Sequence, residues 1–568
     1  MKGMVIMYSA IDTIWVLLAA VLVFFMQAGF AMVETGFTRA KNAGHIVLKN
    51  LMDFAIGSVV FYIVGFGIMY GKSCGGIAGI PDLFVHGDYS SSCPSDAVVF
   101  FRIVFCGTAA TIVSGAMAER TKFFSYVAYS VIMTALIYPI EGHWIWNEGG
   151  WLAQMGFHDF AGGAAVHMAG GMAALAGAKA LGARIGKYTA EGKSRAIPGH
   201  SLTLASLGIF ILWFSWFGFN GGSIMSMTGD DNLILASRVI LNTNLSAAAA
   251  AVTGMLITKA RYGKVDISMV LNSALAGLVA ITAGCDKVAP FSALVIGIAS
   301  SFVMLYGIEF IDHVLKIDDP VGASGVHGLC GALGVVMTGI LAEDKGVLYT
   351  GKWDFFGVQC LGVLAVSVFV FVMMSLVFFL IKKTIGLRVD EKEELEGLDI
   401  GEHGIRPAYA SSTAEFTSGA LYSKSGNAAQ KLREIDLDAE NFAEQYPDLA
   451  KPDGKIRNVV IITNPAKLEI LKSALDKIDI TGMTVSYVSG CGIQKGSMTL
   501  YRSAEMDMHL LPKVKVEVVI STVPVELLVN TVKKALYTGN VGDGKIFIYE
   551  VDRVIKVRTS QEGKDALE

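Results

Sequence analysis

Along roughly the first 385 residues, long apolar runs alternate with short polar loops; beyond that point Lys, Glu and Asp become frequent and the apolar runs shorten. A membrane-spanning helix needs about 20 consecutive apolar residues. Eleven stretches qualify, at about 12–36, 51–71, 98–118, 124–146, 160–182, 200–220, 232–258, 267–284, 290–310, 322–342 and 357–382. The first has no basic residues ahead of a short apolar core, and Glu34 and Arg39 follow it, so it reads as a span rather than a signal peptide. The pattern predicts an α-helical membrane domain over 1–385 and a soluble region after it.

The soluble pattern is different in kind. Val459–Ile462 is an apolar run, Leu468, Leu471, Leu475 and Ile478 recur at helical spacing, Met483–Val488 alternates, and Lys513–Ile520 alternates strictly. Leu528, Val532 and Leu536 are again helical, and Ile546–Val557 is strand-rich. The order βαββαβ over 456–560 predicts an α/β ferredoxin-like sheet with helices on one face. The connection 490–512 is too long for a simple hairpin loop, which marks it as functional. Ser-, Ala- and charge-rich residues 408–455 read as a linker, and 561–568 as a C-terminal tail.

Charge placement orients the spans. Arg39, Lys41 and Lys49 follow the first, Arg120 and Lys122 the third, Arg184, Lys187, Lys193 and Arg195 the fifth, Lys259, Arg261 and Lys264 the seventh, and Lys382, Lys383 and Arg388 the eleventh. The alternate loops carry Asp82, Asp88, Asp96, Glu148, Asp230, Asp231 and Asp354 instead. Basic loops face the cytoplasm, so the N-terminus is expected outside and everything after residue 385 inside. Composition agrees with a membrane protein: 53% of residues are apolar and 17% charged, against roughly 25% charged in a soluble domain. A net charge of −4 argues against nucleic acid as a partner. Of seven cysteines, Cys74 and Cys93 flank the polar loop Gly75–Ser92; a disulfide and two free thiols both stay open.

An internal repeat locates the site. Asp159-Phe-Ala-Gly-Gly-Ala-Ala-Val-His167 and Asp319-Pro-Val-Gly-Ala-Ser-Gly-Val-His327 share Asp, Gly, Val and His at the same offsets, and Gly171 and Gly331 extend the match. The segments open the fifth and tenth spans. Five spans per half is odd, so the halves cross the membrane in opposite senses, a 5+5 inverted repeat with its site near the midplane. His167 and His327 are expected about eight residues into their spans, and ionisable groups at that depth mark function. Two histidines bonded to each other merely as core glue is the structural alternative. The other residues at membrane depth are read as apolar or aromatic. Such a path suits a small solute that hydrogen-bonds and can give up a proton, such as ammonia or water. Trp146 and Ser223 end the fourth and sixth spans at the outer face, where an indole ring attracts a cation and a hydroxyl oxygen accepts its proton. No nucleophile–base pair or metal-ligand cluster is evident, so neither an enzyme nor a metal site is expected.

Together, Glu34-Thr-Gly-Phe-Thr-Arg-Ala-Lys-Asn, Gly115-Ala-Met-Ala-Glu-Arg, Asp159-Phe-Ala-Gly-Gly, Trp216-Phe-Gly-Phe-Asn and Gly325-Val-His-Gly-Leu-Cys-Gly resemble the ammonium transporter family (Amt/Mep/Rh) over about residues 10–407. The resemblance implies an eleven-span homotrimer in the inner (plasma) membrane, with one pore per subunit. Phe105, Trp146 and Ser223 would recruit ammonium, Phe105 and Phe219 would form a stacked gate, and His167 and His327 would be the pore pair. Asp159 would hold the vestibule together, and 386–407 would be the cytoplasmic tail. Arg102, one turn before the gate, stands where the family usually has an uncharged residue. Two routes stay open: passage of neutral ammonia, or separate passage of ammonia and its proton.

In the soluble segment, Thr481-Gly-Met-Thr484, Gln494-Lys-Gly, Leu500-Tyr-Arg502, Gly542-Asp-Gly-Lys-Ile-Phe and Val554-Ile-Lys-Val-Arg558-Thr resemble the PII signalling protein. This implies no obligatory cofactor but regulatory binding of ADP or ATP, with Mg and 2-oxoglutarate, at Thr484, Gln494, Gly542, Asp543, Gly544, Lys545, Lys556 and Arg558. Residues 492–510 match a loop that plugs ammonium pores from the cytoplasm, and Arg502 matches its plugging arginine. Met506 stands where many relatives carry a modified tyrosine, and Ile493 and Lys556 replace arginines near the phosphates. The expected function is ammonium transport regulated by the fused domain. The alternative is an ammonium receptor with little flux that signals onward.

Overall fold

The computed structural model describes residues 8–189, 191–405, 454–480, 482–490, 498–501, 504–507, 511–537, 539 and 543–567. The chain divides into two compact units, Met1–His403 and Gly404–Glu568. Apart from Gly454 and Lys455, the expected linker lies outside the described residues.

The first unit is a helical bundle: α1 Ala10–Phe37, α2 Ala40–Tyr70, α3 Ser95–Ala116, α4 Phe123–Gln154, α5 Gly163–Leu181, α6 Leu202–Gly222, α7 Asp230–Tyr262, α8 Ile267–Ile281, α9 Pro290–Val314, α10 Ser324–Leu341 and α11 Asp354–Thr384. Ten of these are long and apolar enough to cross a membrane, and α8 is apolar but shorter. Local chemistry sets the boundaries. Ser9, Ser201 and Asp266 accept the third N–H of α1, α6 and α8, Pro290 starts α9, and α7 ends on Gly263 in the left-handed region. Many outward residues are large and apolar, among them Ile14, Phe210, Phe291 and Leu364. A helix apolar all round is suited to lipid or to a neighbouring subunit.

Small residues bring the helices together. A Cβ on Gly36 would lie 2.4 Å from the Ala205 nitrogen, and one on Gly208 2.6 Å from the Gly29 carbonyl, so α1 and α6 touch along their backbones. At the centre, a Cβ on Gly171 of α5 would fall 2.0 Å from the Gly328 nitrogen of α10. Reciprocally, one on Gly331 would fall 2.6 Å from the Gly163 carbonyl.

At the rim that carries the basic loops, several of the basic residues are paired. Glu119 accepts the Arg39 backbone N–H at 2.7 Å and its Nε at 2.6 Å. Arg184 forks onto Asp318 through Nε at 2.8 Å and Nη2 at 2.9 Å, and its Nη1 lies 3.4 Å from Glu119. All four side chains are buried. Burial alone would raise the Glu119 carboxyl, but the guanidinium groups of Arg39 and Arg184 bring it down to about 2. The tail packs against this rim. Asp399 accepts the N–H groups of Gly44 and His45 at 3.0 and 2.7 Å, and Lys41 Nζ donates to the carbonyls of Glu394 and Leu395 at 2.7 and 2.8 Å. Cys74 and Cys93 are both free thiols.

The second unit contains β1 Arg457–Thr463, β2 Thr484–Gly490, a hairpin of β3 Met498–Tyr501 and β4 Ala504–Asp507, β5 Leu511–Ile520 and β6 Lys545–Glu550. Helices Leu468–Asp476 and Val525–Leu536 complete the expected βαββαβ order, and the sheet runs β2-β5-β1-β6 with every pair antiparallel. Strict alternation sends Val514, Val516 and Val518 into one core with Leu471, Leu475, Leu528 and Val532. The strand expected to reach Val557 stops at Glu550. Beyond it the chain turns back on itself, with Lys556 N–H donating to the Gln561 carbonyl at 2.9 Å and Arg553 pairing with Glu562, which leaves Val557 97% exposed.

Breaking a buried ion pair from one side strands the other charge, at about 3–5 kcal/mol. Arg184→Met is therefore expected to lower the thermal unfolding temperature in detergent clearly. Glu119 adds a pH signature. Its folded pKa lies below the unfolded value of about 4.3, so its contribution is complete above that pH and fades as pH falls toward about 2. An unfolding temperature unchanged by Arg184→Met would contradict this account of the rim.

Candidate functional site

Two matched devices place the histidines. Asp159, 5% exposed, accepts four consecutive backbone N–H groups: Gly162 and Gly163 on Oδ1 at 3.0 and 2.7 Å, and Ala164 and Ala165 on Oδ2, both at 2.9 Å. These are the donors that the start of a helix otherwise leaves unsatisfied. Asp319 repeats the device, accepting from Gly322 at 3.0 Å and Ser324 at 2.7 Å. Gly162 and Gly322 take φ of +102° and +79°, a region other residues avoid, and this turns the chain into each helix.

Each helix opens with a π-turn, Gly163–Met168 and Ser324–Leu329, that carries its histidine. His167 is thus the fifth residue of α5 and His327 the fourth of α10, not the eighth as expected. The aspartate-capped, glycine-turned segments ahead of them are not helical.

Both histidines are buried, with Nδ1 facing Nδ1 at 3.3 Å and ring centres 5.3 Å apart at 27°. In the neutral pair one Nδ1 must donate and the other accept, which makes the two Nε2 atoms unlike: one is a bare acceptor and the other an N–H donor. His167 Nε2 has no partner among the described residues. The indole of Trp216 stacks on His167 at 4.8 Å and 20°, fixed by its Nε1 donating to Thr282 Oγ1 at 2.9 Å.

On one side of the pair, aromatic rings follow in series. Phe219 lies 5.3 Å from His167, Phe105 stacks on Phe219 at 4.1 Å and 12°, and Trp146 meets Phe105 edge-on at 6.3 Å. Trp146 Nε1 donates to the Asp159 carbonyl at 2.7 Å, so the residue that caps α5 also holds the indole. Ser223 Oγ donates its hydrogen to the Phe219 carbonyl at 2.9 Å, which leaves its lone pairs to accept from a solute. On the other side, a pocket lined by Phe30, Glu34, Asn272, Val321 and Val326 ends on His327.

Membrane depth is less uniformly apolar than the sequence pattern implied. Glu34 accepts from Ser114 Oγ at 2.6 Å, and Lys49 Nζ donates to the Ser114 carbonyl at 2.7 Å. Asp53 accepts from Thr111, Tyr126 and Ser130. Glu141 is also buried. Asp53 and Glu141 lie inside expected spans, and that was the available signal. The role of Trp216 had no signal beyond its motif, and those of Thr282, Phe30 and Asn272 had none.

In the second unit, Thr484 lies on β2, whereas Asp543 and Gly544 immediately precede β6 and Lys545 begins it. Lys467 Nζ reaches Asp543 Oδ1 at 2.6 Å, and Thr463 Oγ1 donates to the Asp543 carbonyl at 2.8 Å. Gly544 sits at φ +133°, where a Cβ would lie 2.6 Å from the Ile462 carbonyl. Lys556 is half-buried and Arg558 exposed. Gln494, Arg502 and Gly542 lie outside the described residues, as does Ile493.

A family model for the Ammonium Transporter Family matches residues 14–408, and one for Nitrogen regulatory protein P-II matches 456–561. The chain is 46% identical over 438 residues to ammonium transporter Amt2 of Archaeoglobus fulgidus, covering 73% of this chain and 92% of that one. It is 40% identical to a putative ammonium transporter of Synechocystis, covering 70% and 88%. Among solved structures, a protein titled "Sensor Amt Protein" is 42% identical with a TM-score of 0.66, covering 69% of this chain and 98% of that one. Candida albicans Mep2 is 26% identical with a TM-score of 0.64, covering 72% and 94%. These relatives are transporter-family proteins, not enzymes.

Asp159→Ala would leave four helix-opening N–H groups without their acceptor, each buried group costing about 1–3 kcal/mol. The expected outcome is loss of folded protein on size-exclusion chromatography, with Asp159→Asn, which keeps acceptor oxygen, retaining part of it. Normal folding of Asp159→Ala would contradict the capping role.

Proposed function

Because the chain belongs to the ammonium transporter family and carries a C-terminal PII domain, we propose that it moves ammonium nitrogen across the plasma membrane through the path from Trp146 to the His327 pocket, under control of its PII domain. The observation that carries this reading is the unbroken series Trp146, Phe105, Phe219, His167, His327 with a pocket beyond it.

Ammonium would settle against the Trp146 and Phe105 rings, a contact worth about 0.5–2 kcal/mol, and donate to Ser223. Taking its charge past the Phe105–Phe219 stack would strip hydration that apolar walls do not replace. Giving up the proton at the mouth removes that cost. Ammonia then meets a histidine pair with one donor and one acceptor Nε2 to hand it on. The proton either stays outside or follows separately along the imidazoles. Counting α8 as a span gives eleven, which would put the chain's ends on opposite faces and the PII domain in the cytoplasm. The matched Asp–Gly–His devices and reciprocal glycine contacts support a 5+5 inverted repeat.

In the PII domain, the sheet order places Thr484 and Lys545 on opposite edges, three strand spacings or ~14 Å apart. One site using both needs two subunits, which supports a homotrimer with ADP or ATP, and with Mg and 2-oxoglutarate, between subunits. Nucleotide state would set the 492–510 loop, and Arg502 would block the pore exit. Tethering raises the loop's effective concentration to about the millimolar range. A second reading, a receptor with little flux that signals through the PII domain, is favoured by the likeness to the protein titled as a sensor.

Uptake of radiolabelled methylammonium into proteoliposomes tests the path. His167→Asp and His327→Ala are each expected to change the rate several-fold; unchanged uptake in both variants would sink the pore assignment. Arg502→Ala is expected to abolish any difference between ADP and ATP on the cytoplasmic side, and a full nucleotide effect in that variant would remove the plugging role.

A further inference from the structure

The outer mouth already holds a cation of its own. Arg102 lies on α3, three residues before Phe105, and its guanidinium carbon sits 5.2 Å from the Trp146 ring centre, 5.2 Å from that of Tyr70 and 5.7 Å from that of Phe101. Its Nε is buried without a hydrogen-bond partner. Among the described residues it makes no ion pair within 4.0 Å. Arg102 as a whole is half-buried; a guanidinium packed among side chains ordinarily takes a carboxylate in its fork, and here three aromatic rings surround it instead. The carboxylates of this region do not compensate it by contact. Asp159 is committed to four backbone N–H groups, and neither oxygen of buried Glu141 has a hydrogen-bond partner.

We propose that Arg102 is a tethered cation that competes with external ammonium for the face of Trp146 and so sets the concentration at which the recruitment site fills. The inference rests on the reading of Phe105, Trp146 and Ser223 as that site. Two effects act in the same direction. The guanidinium covers the ring surface that a solute cation would use, and its charge repels a second cation nearby. The indole cannot swing away, because its Nε1 is held by the Asp159 carbonyl at 2.7 Å. Arg102 is held mainly by ring faces, so a solute cation can displace it at sufficient concentration. The mouth is thereby tuned to respond at higher ammonium than an uncovered indole would, and the cage it reveals fits a guanidinium-sized cation.

The test uses the full-length protein in proteoliposomes and ammonium-pulse currents, with calorimetric titration of ammonium as a parallel readout. Arg102→Ala and Arg102→Gln are expected to lower the half-saturating ammonium concentration by about 2- to 30-fold, the range that one cation–π contact spans. Arg102→Lys, which keeps the charge, stays close to the parent protein. Free guanidinium at millimolar concentration is expected to inhibit Arg102→Ala competitively and to leave the parent protein unaffected. Unchanged half-saturation in both neutral variants, with no guanidinium effect in Arg102→Ala, would overturn the proposal. Trp146→Leu separates the two levels. If it shifts half-saturation while the Arg102 variants do not, only the tethered cation is wrong; if it shifts nothing, the recruitment site itself is wrong.

Discussion

The backbone contact between Gly171 and Gly328, answered by Gly331 against Gly163, is the constraint on which the membrane unit depends. A methyl group on Gly171 would fall 2.0 Å from the Gly328 nitrogen, so any side chain there forces α5 and α10 apart. Only at that closeness do His167 and His327 meet at 3.3 Å through Nδ1. Two other features follow from it. Helices joined by glycine have few side chains to lock them, so Asp159 and Asp319 fix their starts by collecting backbone N–H groups. Asp159 also holds Trp146, which ties the mouth of the path to its centre.

Charge in this unit is kept away from the stretch between Phe105 and the histidine pair. At the rim that carries the basic loops, Arg39, Glu119, Arg184 and Asp318 neutralise one another while buried. Within the bundle, Lys49, Glu34 and Asp53 gather beside α3, bonded largely to hydroxyl and carbonyl groups. The route between Trp146 and His327 is lined by rings, and in so apolar a setting an unpaired charge is costly. On the proposed reading, the arrangement would favour a solute that can leave its charge behind. At the Trp146 end of this series a cation does appear: the Arg102 guanidinium rests on the rings of Tyr70 and Trp146.

Much of this was legible in sequence because it rests on pattern. Span positions follow from apolar runs, and the matched Asp–Gly–Val–His segments named both histidines. Strict alternation in Lys513–Ile520 fixed which side of β5 faces its core. What escaped depends on contacts that spacing does not encode. The helices of the two histidines start later than hydropathy suggested, because Gly162 and Gly322 turn there at positive φ and hydropathy is blind to backbone sign. The stacking of Trp216 on His167 joins residues distant in the chain. Asp53 was masked by the apolar residues averaged around it, Glu34 and Lys49 were read as flanking the first span although both are buried in helices, and β6 ended early because an Arg553–Glu562 pair closes a turn that strand propensity ignores.

The central claim is that ammonium drives charge or ammonia through this chain and that nucleotide at the PII domain controls it. Electrical recording on a supported membrane, with ammonium pulses applied to the full-length protein in the presence of ADP and then ATP, tests it most directly. The account predicts saturable transient currents whose size differs between the two nucleotides, or, for neutral passage, a saturable ammonia-driven change in internal pH that differs in the same way. Ammonium binding with neither signal above empty vesicles, under either nucleotide, would contradict transport and leave a receptor.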